Sequence, residues 1–255
     1  MAWTERQHRL LAAMGLRLLS PPAAEGVSVA EPPAAEPAPA PVAPPAAAAR
    51  PTVTDRGALP ALGWPELREA VAACRACGLC ERRTQTVFGV GSPQAQWMVV
   101  GEAPGEQEDR EGEPFVGAAG QLLDRMLAAL QLTRAQEPGT PPERQVYIAN
   151  TLKCRPPGNR NPAPDELAKC EPFLVRQIEL LQPRIILAMG RFAVQALLRS
   201  DEPIGRLRGR VHRYQGVPLV VTYHPAYLLR SLPEKAKAWD DLCLAAEVFE
   251  RPPAG

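Results

Sequence analysis

Residues 97–101 read Trp97-Met98-Val99-Val100-Gly101, an apolar run that passes straight into the turn-rich, acidic segment Gly101-Glu-Ala-Pro-Gly-Glu-Gln-Glu-Asp109. A run this short, uniformly apolar and closed by turn residues reads as a strand buried on both faces. Working outward, three further runs have the same character: Val146–Asn150 (VYIAN), Ile185–Met189 (IILAM) and Val217–Tyr223 (VPLVVTY). Between them, Ala118–Gln131, Asp165–Leu181, Arg191–Arg199 and Glu234–Phe249 carry apolar residues at three-and-four spacing, and Pro164-Asp165-Glu166 has the composition of a helix start. Strands alternating with helices predict an α/β fold, a three-layer α/β/α sandwich around a central, mostly parallel four-stranded sheet. Sites in such sheets gather at the carboxyl ends of the strands. The segments after WMVVG, VYIAN and VVTY are therefore the ones to inspect.

Composition sets the limits of that body. The chain has 255 residues and 30 prolines, and residues 31–50 are almost entirely Ala and Pro. Such a stretch has too little to bury to offset its ordering entropy. The expected organisation is a short amphipathic segment at 1–20, a disordered Ala/Pro-rich linker at 21–60 and a folded domain at 61–251. Thr4–Leu19 is interrupted by Arg9, Gly15 and Arg17, which suits neither a secretory signal nor a membrane span. A soluble, cytoplasmic, monomeric protein with no membrane partner is expected. Six cysteines in a reducing compartment are then metal ligands or core residues before they are disulfides. The net charge of +1 excludes a global basic field. A nucleic-acid partner would have to be held by local clusters, for which Lys153–Arg160 and Arg206–Arg213 are the candidates.

The strand ends carry the chemistry. Gly101, Gly105 and Pro104 let the chain turn sharply and approach a ligand, and no Lys-Ser/Thr pair follows to make a nucleotide-triphosphate loop. Asn150 closes the second run with an amide that offers both donor and acceptor to a nucleobase edge. His224 follows the fourth. A lone histidine is more often structural than catalytic, and the convergence of three such residues on one sheet edge is what raises it.

GEAPGEQED, PFVGAAGQLL, VYIANTLKCRPPGNRNP and YHPAYLLR resemble, in order and spacing, the signature blocks of family 4 uracil-DNA glycosylases, over about residues 67–249. The resemblance implies an enzyme that flips uracil out of DNA, hydrolyses its N-glycosidic bond and leaves an abasic site. It implies that Phe115 stacks on the base, Asn150 reads its polar edge and His224 donates to the uracil oxygen as charge builds there. Glu102 and Ala103 would line the sugar side, and Glu108 would crowd C5 and exclude the methyl group of thymine. Leu228, Leu229 and Arg230 would belong to a loop that enters the duplex and grips a phosphate. The best-studied glycosylases of this fold have an aspartate where this chain has Ala103. Water activation is left to Glu102, to Asn150, or to an unaided water with a stabilised leaving group.

Cys74-x-x-Cys77, Cys154 and Cys170 could hold zinc or an iron-sulfur cluster, and spacing alone does not separate the two. The resemblance implies a 4Fe-4S cluster on these four residues, aligned by Arg83-Thr84 after the Cys-x-x-Cys pair. Cys80 is a reserve ligand and Cys243 a small core residue. The cluster would tie down the loop that places Arg155 and Arg160 beside DNA phosphates. No lysine falls in the site blocks as an amine nucleophile, so a monofunctional enzyme is expected. Two rival readings stand beside it: a non-turnover uracil-DNA binding protein that traps the base covalently, and an iron-sulfur DNA-binding accessory module. The basic, histidine-containing insertion expected of the first is absent after Gly117. The N-terminal segment resembles the docking peptide of a small bacterial clamp-loader subunit, a route to a replisome or repair partner, although an inert end is the preferred reading.

Overall fold

The computed structural model describes residues 61–251, and the segments expected at 1–20 and 21–60 lie outside those residues. Six strands form one sheet: β1 (Val90–Gly91), β2 (Trp97–Gly101), β3 (Val146–Asn150), β4 (Ile185–Met189), β5 (Val211–Tyr214) and β6 (Val217–Thr222), in the order β1-β3-β2-β4-β6-β5. The four runs singled out from sequence make the parallel centre, β3-β2-β4-β6. The expected four-stranded sheet is thus extended by an antiparallel strand at each edge. Both additions were hidden for physical reasons. β1 is two residues long, too short to show a period, and β5 (VHRY) lies half in solvent with alternating exposure. β5 joins β6 through Gln215-Gly216, both at positive φ (48° and 86°), the geometry of a tight hairpin turn.

Every residue of β2, β3 and β4 is buried, which explains their lack of alternation. On one face Met98, Val100, Tyr147, Ala149, Ile186, Ala188, Leu219 and Val221 form a core with Leu174 and Ile178 of α4 (Pro164–Leu181) and with Val194 and Leu197 of α5 (Arg191–Leu198). Burying each such aliphatic side chain contributes about 1.5–3 kcal/mol. On the other, α8 (Glu234–Glu250) packs against β6 and β4, while α3 (Ala118–Ala129) packs against α7 (Pro225–Arg230). Helices α2 (Glu106–Glu111) and α6 (Ile204–Leu207) are short connectors.

A second, smaller core stands beside the sheet. Leu67 and Val71 of α1 (Trp64–Ala73) meet Leu79, Phe88, Leu152, Cys154, Cys170 and Phe173, with Cys74, Cys77 and Ala103 at its margin. Helix α1 packs on α4, so the thiols of three separate segments share one place. Among the described residues no helix is long and apolar enough to cross a membrane.

Candidate active site

Register decides what meets at the carboxyl edge of the sheet. Gly101 at the end of β2 pairs with Asn150 at the end of β3, and Met189 at the end of β4 pairs with Thr222 at the end of β6. His224 follows two residues later, so four neighbouring strands end around one spot. A Cβ placed on Gly101 would stand 2.4 Å from Asn150 Oδ1 and 2.7 Å from Phe115 Cζ. Only glycine fits, because the amide and the ring both close over that backbone. Phe115 in turn stacks on His224, with ring centroids 5.3 Å apart and planes 26° apart. The structure therefore brings together three of the predicted residues, Phe115, Asn150 and His224, and Glu102 follows Gly101, over which the first two close.

Each of these groups is set in an unusual electrical state. Asn150 is 3% exposed, and its Oδ1 is buried without a hydrogen-bond partner. An acceptor left unpaired in this way costs about 1–3 kcal/mol, a cost that a ligand N–H would relieve. His224 caps α7, its Nδ1 accepting from the Ala226 amide at 3.2 Å. Burial, and then the charge of Arg230, lower its pKa to about 4. The ring is neutral at pH 7, and the bond at Nδ1 assigns the proton to Nε2 as a donor. Burial alone raises the Glu102 carboxyl to about 7. Its backbone carbonyl accepts from Thr151 Oγ1 (2.5 Å) and Leu152 N (3.1 Å), which pins the turn after β2 to the turn after β3.

Other predicted residues fall elsewhere. Glu108 accepts from the Gly105 amide at 3.1 Å and so closes the N-terminus of α2. Ala103 packs against the smaller core. Arg155 pairs with Glu106 (3.4 Å) and Asn159 (2.8 Å). Arg160 forms a fork on both oxygens of Glu166, at 2.9 and 2.6 Å, and Glu166 also accepts from the Ala163 amide ahead of α4. The wedge expectation needs correction at one position. Leu228 is fully buried, because α7 turns it inward, whereas Leu229, Tyr227 and Leu232 are 42%, 39% and 57% exposed. Arg230 is exposed in the same segment.

The thiols line a cavity with Val71, Leu79, Arg83, Leu152, Lys153, Lys169 and Phe173: Cys74, Cys77, Cys80, Cys154 and Cys170 all reach it. Arg83 donates to Cys154 Sγ at 3.0 Å, and the Lys153 amide donates to Cys170 Sγ at 3.2 Å. Burial holds the Cys77 and Cys154 thiols above their ordinary range and pushes Cys170 up to about 12. Among the described residues no group of three or more His, Cys, Asp or Glu side chains is set to hold a single metal ion.

Sequence reasoning missed the groups that hold the site in place. Lys153, assigned by its neighbours to a basic surface cluster, is 1% exposed and donates to Asn150 O (2.8 Å) and Gln177 Oε1 (2.6 Å). Burial lowers its pKa to about 8. Asp109, also buried, accepts from the Thr84 amide with both oxygens at 3.0 Å. A buried charge reads from sequence as a surface charge, and no periodic signal could have separated the two.

Comparison with known proteins points to one family. The uracil DNA glycosylase superfamily matches residues 88–243. A type-4 uracil-DNA glycosylase from Archaeoglobus fulgidus is 44% identical over 167 residues, covering 62% of this chain and 79% of the relative. Those of Thermotoga maritima and Pyrobaculum aerophilum are 42% and 40% identical, covering 64% and 70% of this chain and 81% and 91% of the relatives. With a buried amide, an aromatic ring and a neutral imidazole meeting at the ends of four strands, and with relatives of this coverage, the chain belongs to the type-4 uracil-DNA glycosylases of that superfamily.

Proposed function

We propose that this protein extrudes uracil from DNA and hydrolyses the bond joining it to deoxyribose, leaving an abasic site for repair. The observation that carries the reading is the unpartnered Oδ1 of Asn150, which closes over Gly101 together with the Phe115 ring that stacks on His224. Uracil presents an N–H beside a carbonyl, which an amide with one acceptor and two donors can match in a bidentate way. Phe115 supplies the face on which the flipped base lies. As the bond breaks, negative charge moves to the base, and the neutral His224 donates from Nε2 with no proton transfer needed to arm it. A preorganised donor of this kind is typically worth about 10²- to 10³-fold in rate. Glu102, near half-ionised at neutral pH, supplies negative charge on the sugar side as the sugar becomes cation-like. Glu108 limits room at C5. Extrusion costs only a few kcal/mol, offset by Leu229 and its exposed apolar neighbours, while Arg155, Arg160 and Arg230 meet phosphates.

A 4Fe-4S cluster held by Cys74, Cys77, Cys154 and Cys170 fits the smaller core on the chemistry of its lining. Buried thiolates need positive charge and hydrogen-bond donors to exist together, and the Arg83 guanidinium donates to Cys154 Sγ while the Lys153 backbone amide donates to Cys170 Sγ. When bound, the cluster would join the Cys74–Cys77 segment to the loop after β3 and to α4, and so fix the loop of Arg155 and Arg160. A cytoplasmic monomer is the working form. Any replisome or repair partner is reached through residues 1–20.

Incubation with an oligonucleotide containing one uracil, followed by alkali, tests this reading. Strand cleavage at uracil and none at thymine is expected. A shifted covalent band would mean trapping, and intact DNA that still binds would mean an accessory module.

A further inference from the structure

We propose that Arg134, which lies outside every signature block, is the positioning residue that holds Phe115 where it can stack on the flipped base; this rests on the reading of Phe115 given above. Phe115 has φ 57°, a left-handed conformation that a bulky residue does not adopt unaided. It is 4% exposed, and two features hold its backbone from opposite sides. Below, a Cβ on Gly120 of α3 would stand 1.7 Å from the Phe115 carbonyl oxygen, so the carbonyl is seated on the first turn of the helix where only glycine leaves room. Above, Arg134 donates from Nη1 to Pro114 O and from Nη2 to Phe115 O, each at 2.7 Å.

The guanidinium is itself anchored. Nη2 also reaches Asp124 Oδ2 of α3 at 2.7 Å, Glu113 stands 3.7 Å from Nη1, and the side chain is 15% exposed. Two successive carbonyls facing one planar fork is an arrangement that a guanidinium can satisfy and a lysine ammonium, with a single point of charge, cannot. The hydrogen bonds of Arg134 go to two backbone carbonyls and to Asp124. It fixes the peptide on both sides of a residue whose ring lies against His224 and over Gly101, so its effect on catalysis runs through the ring.

Single-turnover uracil release from DNA by wild type, R134M, R134K, F115A and the double variant R134M/F115A tests the inference. A ring displaced by about an ångström is expected to lower the rate roughly 10- to 100-fold, with unchanged affinity for uracil-free DNA. R134K should recover little, and added guanidinium should partly restore R134A. The double variant should be no slower than F115A, within about twofold, since both changes remove the same stacking face. Losses that multiply in the double variant, or an R134M that keeps the wild-type rate, would overturn the proposal. Should R134M fail to fold, D124N loosens the anchor alone, with several-fold slower release expected and an unchanged rate if Arg134 is idle. With the five phenylalanines carrying a fluorine label, the signal missing from F115A should shift or broaden in R134M and stay fixed if the loop stands without Arg134. A wild type that releases no uracil would fail the functional reading. A wild type that releases it with an unmoved ring signal in R134M would fail only this inference.

Discussion

The carboxyl edge of the sheet and the thiol-lined core lie on either side of the turns that follow β2 and β3, and they are built on opposite terms. At the edge, polar groups are left unanswered: the buried Asn150 Oδ1 has no partner, and the half-buried Glu102 carboxyl is raised by burial alone. In the thiol core, polar contacts reach the sulfurs from Arg83 and from the Lys153 amide, and apolar side chains close the rest. The first region gives up stability to leave polar groups open, and the second brings the thiols of separate segments together. Lys153 joins them, its amide on Cys170 and its ammonium on the Asn150 carbonyl.

The comparison can be broken most decisively at Asn150. N150A should slow uracil release by about 10²- to 10³-fold, the scale of losing a preorganised polar contact, while leaving thermal stability unchanged or slightly higher because an unpaired buried acceptor is removed. A large fall in melting temperature would show that the edge is structural after all. C170S should behave in the reverse order. Iron content and the brown absorbance near 400 nm expected of a cluster should fall, and melting should drop by roughly 5–10 °C, the scale of about 2–3 kcal/mol in a domain of this size. The rate loss should follow the loss of folded protein. A colourless wild type carrying stoichiometric zinc would contradict the cluster.

A finer test uses Glu102. If its carboxylate assists, the single-turnover rate should rise about tenfold per pH unit below pH 7 and level off above it. E102Q should be slow and flat over that range. Stability moves the other way. The folded-state pKa lies above the ordinary 4.5, so the stabilising contribution is present below about pH 4.5 and is lost as pH rises through about 7. E102Q should therefore melt higher than wild type at pH 8, by an amount equivalent to about 1–2 kcal/mol after allowing for partial exposure.

Much of the architecture was legible because it is written in runs of apolar residues. β2, β3 and β4 have the bounds read from sequence, and α4 starts at Pro164 with Glu166 closing its first turn. What escaped had no apolar signature. α2 is Glu-Gln-Glu-Asp-Arg-Glu, a helix with no hydrophobic stripe, and α7 opens on the proline after His224. At the site, motif resemblance pointed to Phe115, Asn150 and His224. It could not show that Leu228 faces inward, because adjacent leucines on a helix look alike until packing chooses between them. Nor could it find Arg134 or Lys153, whose importance comes from contacts with backbone carbonyls that no side-chain pattern encodes.

The central claim is that Asn150, Phe115 and His224 grip one base together. The most direct measurement is an NMR titration with free uracil, following the Asn150 side-chain amide and the His224 imidazole, one of only three in the chain. Both signals should move along the same binding curve, and neither should move in F115A. Uracil that binds while either signal stays still would contradict the account.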